Sequence, residues 1–263
     1  MENLIIFGDY GLDDAAATVS IFNHANRFNH IDIVAIGGNV PADVSLRNCL
    51  TLLGYFPDVW SKVTVVDTTS IPQASEYLAD IHGNDGMGDL FEVPSTHPDV
   101  NIMNFNEWLS KISGENAVLS LGPMSLVKPV TDKIACNPLV IMGGCINEEP
   151  NFGEYEFNHC LDPEAFSYCT KLTHAAITLD TCRTEKLDMR RYTIEGDDIH
   201  SRILRADQRL SITRNEDGCY VWDDVAACYL LFPERFELKE QIDPHGNRIF
   251  NAVYISDKLY FAD

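Results

Sequence analysis

Three carboxylates crowd one short stretch of the chain, Asp9-Tyr10-Gly11-Leu12-Asp13-Asp14. Oxygen-only ligands of this kind suit a hard divalent cation, calcium or magnesium, and the lack of a neighbouring His or Cys argues against zinc. Aspartates at the start of a helix are also ordinary caps that offset the helix dipole. Two adjacent aspartates cannot both cap, however, and Asp9 sits just upstream, where its side chain could converge with that of Asp14. Crowded, buried carboxylates repel one another unless a cation neutralises them or one takes up a proton. If all three stay ionised and buried, the chemistry expected of this turn is metal binding.

The elements around it are legible. Asn3 to Phe7 is a mostly apolar run ending in Gly8-Asp9-Tyr10-Gly11, the pattern of a buried parallel strand feeding a turn. Leu12, Ala15, Ala16, Val19 and Phe22 then recur at helical spacing. The alternation repeats, with strands expected at Ile31 to Ile36, Val63 to Asp67, Ala117 to Leu121, Leu139 to Met142 and Ala175 to Leu179. Helices are expected near Ser45 to Tyr55, Phe105 to Ile112 and Pro163 to Leu172. Strand followed by helix, repeatedly, implies one α/β domain over residues 1–263 with an open, mostly parallel sheet covered by helices on both faces. In such sheets ligands sit beyond the carboxyl ends of the strands. The tail breaks the rhythm: Phe236 to Ile242 and Ile249 to Ile255 flank Asp243-Pro244-His245-Gly246-Asn247, a hairpin signal.

Charge narrows the class of partner. With 40 acidic against 19 basic residues the formal net charge is −21, a field that repels phosphate backbones and anionic lipid heads. Nucleic acid polymers and membrane surfaces are therefore poor partners, and a cation or a neutral polar small molecule is a better one. No apolar run approaches the roughly 18 to 20 residues needed to cross a bilayer, and Met1 is followed by Glu2 rather than by a basic and then apolar leader, so a cytoplasmic location is expected. The eight cysteines are scattered with no C-x-x-C pair and read as reduced core thiols.

Gly11-Leu12-Asp13-Asp14-Ala15 resembles the N-terminal fingerprint of the inosine-uridine-preferring nucleoside hydrolases, an Asp-rich strand-turn-helix ending in Gly-x-Asp-Asp-Ala. Further motifs follow in that family's order: Gly38-Asn39-Val40 with Arg47-Asn48, then His82-Gly83-Asn84-Asp85-Gly86-Met87-Gly88, then Leu121-Gly122-Pro123-Met124-Ser125. Met142-Gly143-Gly144 with Glu156-Phe157-Asn158, and finally Trp222-Asp223-Asp224-Val225-Ala226, complete the series. Each alone reads as a turn, a loop or a helix cap. Six in order, over residues 3 to 230, are similar to the family as a whole.

The resemblance implies a calcium-dependent hydrolase that cleaves the N-glycosidic bond of a small-molecule nucleoside, working as a homo-oligomer. It implies that Asp9, Asp14, Asp223 and the carbonyl of Leu121 bind Ca²⁺, and that Asp9 takes a proton from the attacking water. Asp13, Asn39, Glu156 and Asn158 would hold ribose hydroxyls, with His82, Met142 and Trp222 also against the substrate. There are departures. Phe7 and Tyr10 replace an Asp and a Pro of the usual turn, and Pro150-Asn151 disturbs a region where a further ribose-binding Asn is expected. The chain is also short for the family, which would trim the helices over the base.

Many members carry His where this chain has Trp222, and an indole cannot serve as a general acid near neutral pH. A purine-preferring branch stacks Trp on the base instead, which is physically reasonable. A packed core Trp is the plain alternative. Two other functions compete. One is a nucleoside- or ribose-binding protein of the same fold without turnover. The other is a phosphatase-like hydrolase, disfavoured by the absence of an Asp-x-Asp-x-Thr pattern and of a basic phosphate cradle.

Overall fold

The computed structural model describes residues 3–92, 98–258 and 260. Among the described residues nine strands form a single sheet in the order β4-β3-β2-β1-β5-β6-β7-β9-β8. They are β1 (Asn3–Gly8), β2 (His30–Ala35), β3 (Val63–Asp67), β4 (Asn101–Asn104), β5 (Glu115–Ser120), β6 (Ala135–Met142), β7 (Ala175–Ile177), β8 (Phe236–Ile242) and β9 (Arg248–Tyr254). Every pairing is parallel except β8 with β9, the antiparallel hairpin that the tail of the sequence announces.

Ten helices are interleaved: α1 (Leu12–Asn23), α2 (Ala42–Leu53), α3 (Ala79–His82), α4 (Phe105–Lys111), α5 (Val127–Thr131), α6 (Phe157–Leu161), α7 (Pro163–Cys169), α8 (Leu179–Cys182), α9 (Ile199–Thr213) and α10 (Trp222–Leu231), all among the described residues. β1 is buried along Leu4 to Gly8 because the sheet is covered on both faces. Leu4 and Ile6 belong to a core with α1, α9 and α10, whereas Ile5 and Phe7 belong to a second core with Val34, Trp108 and Phe166. Alternate residues of one continuous apolar strand thus serve opposite layers.

The chain order places the site. From β1 the chain winds outward through β2, β3 and β4, then returns to lay β5 on the other side of β1 before continuing to β6 and β7. The two flanking connections leave β1 in opposite directions, which opens a crevice at its carboxyl end. Asp9 and Leu121 are the residues that follow β1 and β5 there, and Leu121 N–H donates to the Phe7 carbonyl at 2.8 Å.

The structure differs from the sequence expectation in several elements, among them the unforeseen helix α9 and two of the strands. Ala175 to Leu179 is strand only as far as Ile177, because Thr178 caps α8, its hydroxyl accepting from Thr181 N–H at 3.4 Å. β4 was not expected at all: an edge strand whose side chains are mostly exposed carries no apolar alternation to betray it.

Candidate active site

The turn after β1 is tied down from several directions. Tyr10 takes a left-handed φ of 37°, a conformation that costs an L-residue about 1–2 kcal/mol. Its carbonyl accepts from the Asn48 amide at 3.2 Å, and that same amide reaches the Asp85 carbonyl at 2.9 Å. Asn48 thereby clamps the β1 turn to the Gly-rich loop after α3. The Tyr10 ring is fully buried, with its hydroxyl 3.3 Å from Thr18 Oγ1.

The adjacent aspartates divide their work. Asp14 caps: its carboxylate accepts from Asp9 N–H at 3.0 Å and from Gly11 N–H at 2.9 Å. Asp13 does not cap, and its Oδ1 is buried without a hydrogen-bond partner among the described residues. Asp223, in the first turn of α10, supplies the third carboxylate. One oxygen from each of Asp13, Asp14 and Asp223 lies within 4.8 Å of the others. Three grouped carboxylates, one of them with an orphaned oxygen, offer hard oxygen donors throughout and fit a divalent cation.

Asp9 stands behind this trio. Its Oδ2 accepts from Asn39 N–H at 2.6 Å and its Oδ1 from the Asn39 amide at 3.2 Å, while its carboxyl also shares a hydrogen bond with that of Asp14, so it belongs to the same carboxylate group. Burial raises the Asp9 carboxyl from the ordinary range to about 7, with repulsion from Asp13 adding and the Asn39 N–H opposing. Burial also lifts Asp14 and Asp223 well above the usual carboxylate range, reinforced in both by the neighbouring aspartates. Without a counter-charge this turn cannot hold every group ionised.

Gly38 is there because nothing larger fits. A Cβ on it would lie 1.8 Å from Asp9 Oδ2. Gly38→Ala must therefore push Asp9 off Asn39, and a loss of roughly 2 kcal/mol or more in chemical-denaturant stability is expected, typical of overpacking. Affinity for a divalent cation, read by titration calorimetry, should weaken in parallel, since Asp9 N–H donates to the Asp14 carboxylate. An Ala variant with unchanged stability and affinity would contradict this packing.

A cavity of about 740 Å³ opens over the cluster, a size common for small-molecule sites. Asp13, Asn39, His82, Leu121, Met142, Glu156, Asn158, Trp222 and Asp223 all line it, while Asp9 and Asp14 lie fully buried behind them. His82 accepts from Leu12 N–H at 3.1 Å through Nδ1, with Asp13 Oδ1 3.9 Å away, and burial lowers its pKa. Glu156 is the cap of α6, accepting from Gly144, Asn158 and His159 N–H groups at 2.8, 3.0 and 3.0 Å. The Asn158 amide bridges to the carbonyls of Leu121 at 2.8 Å and Met142 at 3.3 Å, which draws the ends of β5 and β6 together. The Leu121 carbonyl keeps a second lone pair.

Trp222 is half-buried on the cavity wall, its ring 5.3 Å from that of Tyr220 and 5.8 Å from the Arg183 guanidinium. Asn151 also lines the cavity, where its side-chain oxygen accepts from Phe157 N–H at 2.9 Å, so the disturbed segment still delivers an Asn to the site. Sequence reasoning missed Arg183, Arg214 and Asp207, which share the cavity wall. They follow or belong to helices far along the chain, and in a chain with 40 acidic and 19 basic residues no local signal sets them apart.

Known proteins offer an independent comparison. The family model described as inosine-uridine preferring nucleoside hydrolase matches residues 4–253. The non-specific ribonucleoside hydrolase RihC of Escherichia coli O7:K1 is 27% identical over 168 residues, 60% of this chain and 54% of that protein. The RihC of Shigella sonnei matches to the same extent. The chain thus spans about half the length of the curated relatives it matches.

Among solved structures, the purine-preferring ribonucleoside hydrolase from Gardnerella vaginalis superposes with a TM-score of 0.67 at 20% identity, covering 98% of this chain and 96% of that one. The inosine-uridine preferring nucleoside hydrolase from Bacillus anthracis gives 0.64 at 16% identity, over 98% and 91%. At these identities the structures speak for the fold, and the family match over nearly the whole chain speaks for descent. With the Asp-rich turn, the late Asp223 and the switch-point cavity brought together in one place, the chain belongs to the inosine-uridine preferring nucleoside hydrolase family.

Proposed function

We propose that the protein hydrolyses the N-glycosidic bond of ribonucleosides, releasing ribose and the free base, with purine nucleosides preferred and calcium as the resident ion. The observation that carries this is the grouping of Asp13, Asp14 and Asp223, with one Asp13 oxygen buried and unpartnered, beside a nucleoside-sized cavity. Asp9, Asp14 and Asp223 with the Leu121 carbonyl would hold the cation, and Asp13 stands beside them. When bound, a divalent cation acidifies a water and orients neighbouring hydroxyls.

The remaining work falls to the chain itself. Asp9, raised to about 7 by burial, takes the proton of the attacking water. Asp13 and Asn39 on one side and Asn158 on the other align the ribose hydroxyls, while the Glu156 cap fixes the backbone that presents Asn158. Ribosyl transfer to water passes through an oxocarbenium-like state, so a carboxylate-rich floor also stabilises positive charge developing on the sugar. Trp222 offers a flat apolar face for the base, which favours the larger purines.

Incubation with inosine, guanosine, uridine and cytidine, with free ribose assayed, tests this. Release is expected, faster from the two purine nucleosides, abolished by EDTA and restored by calcium. No ribose from any of the four at saturating calcium would overturn the hydrolase reading, and binding without release would favour a nucleoside-binding protein in its place.

A further inference from the structure

A purine leaving as its anion is a poor leaving group, and Trp222 has no proton to offer, so the step needs an acid from elsewhere on the cavity wall. Asp207 lies on α9 and lines the cavity wall that also carries Cys219 and Trp222. Its Oδ2 accepts from the Cys219 thiol at 3.5 Å. The groups that act on it are few: Asp13 across the cavity from α1, Arg214 and Glu216 beyond the end of α9, and Cys219. Arg214 is itself engaged by Glu216 at 2.8 Å and by the carbonyls of Asp80 and Ile81 at 3.3 and 3.0 Å, so Asp207 forms no ion pair among the described residues. None of the hydrogen bonds already described for the turn, the ribose-facing residues or the Glu156 cap involves this carboxyl.

We propose that Asp207 is the general acid that protonates the departing base. The inference rests on the hydrolase function proposed above and supplies the step that Trp222 leaves open. As the bond from C1′ to the base nitrogen breaks, its electron pair goes to the base, and the Asp207 carboxyl gives its proton to a ring nitrogen of the purine. Water oxygen bonds to C1′ and its released proton goes to Asp9, so one proton is taken up and one given in each turnover. Cavity water reprotonates Asp207, and the proton on Asp9 passes back to the next water that enters the site. Burial is the main cause that raises Asp207 above the usual carboxylate range, the direction an acid at neutral pH requires.

The test uses the full chain with calcium and compares Asp207→Asn with the parent on two substrates, inosine and p-nitrophenyl β-D-ribofuranoside. The nitrophenolate leaves without protonation, so it needs no acid. The variant should lose about 10²-fold or more in kcat/KM on inosine, the lower end for a general acid, yet stay within about threefold on the nitrophenyl riboside. The ratio of the two rates on one preparation is independent of the fraction folded. Equal losses on both substrates, or no loss on inosine, would overturn the assignment while leaving the hydrolase function standing. A parent that cleaves neither substrate would sink that function first, and this acid with it.

Discussion

Asp223→Asn should give a protein that no longer responds to calcium and cleaves nucleosides about a thousandfold more slowly, yet melts at a higher temperature than the parent when both are free of metal. The two halves of this result have one cause. Asp223 is buried beside Asp14 and Asp13, and each of the three is repelled by the others. In the absence of an ion that repulsion is a net cost of folding, and an uncharged isostere relieves it. Relief of roughly 1–2 kcal/mol raises the melting temperature of a chain of this size by about 2–8 °C.

With calcium present the order inverts. The parent gains stability in proportion to ion binding, whereas the variant has lost a charged ligand and gains little. A thousandfold fall in kcat/KM corresponds to about 4 kcal/mol of transition-state stabilisation, reasonable for an ion that serves both water and sugar. Differential scanning fluorimetry with calcium and with EDTA, alongside ribose release, reads all of these. A variant that is less stable than the parent without metal, or that keeps the parent's calcium-induced shift, would show that the three carboxylates do not form an ion site.

The second large effect is a pH dependence of metal-free stability that runs opposite to the usual acid denaturation. Burial raises Asp9 from 3.8 to about 7 in the folded protein. Between those values the folded chain holds a proton that the unfolded chain has released, so stability falls as pH rises. The contribution is fully present below the unfolded value near 4, is lost progressively up to about 7, and is gone above it. Each extra proton held costs about 1.4 kcal/mol per pH step through that window.

Asp14 and Asp223 are shifted the same way and extend the loss upward. Asp188 and Asp198, which their hydrogen bonds hold below the ordinary carboxylate value, act in the opposite sense, but their window lies at lower pH. The melting temperature in EDTA should therefore fall by several degrees between pH 5 and 7.5. Saturating calcium, which requires the ionised carboxylates, should flatten the curve, so the calcium-induced shift grows with pH. A melting temperature in EDTA that is level or rising over this range would remove the buried, uncompensated carboxylates from the account.

What could be read without coordinates was whatever short-range physics decides. The apolar run at Asn3 to Phe7, the helical spacing from Leu12 to Phe22 and the hairpin around Asp243 to Asn247 are each written in adjacent residues, and each forms as expected. The Asp-rich turn and its late partner Asp223 were visible through the order of the motifs, and the structure brings Asp13, Asp14 and Asp223 together.

The division of labour within that turn was not visible. Whether Asp13 or Asp14 caps α1 depends on Tyr10 entering a left-handed conformation, which Asn48 holds from a different helix. Asp9 follows β1 as expected, but that Gly38 and Asn39 hold its carboxyl against Asp14 is not written in its own neighbours. Asp207 was one acidic residue among 40 until the packing of α9 against α1 put it on the cavity wall. Local sequence sets dihedral preferences and apolar periodicity. A carboxyl's partners, exposure and proton affinity are set by the groups that surround it, and here those arrive from residues tens to hundreds of positions away.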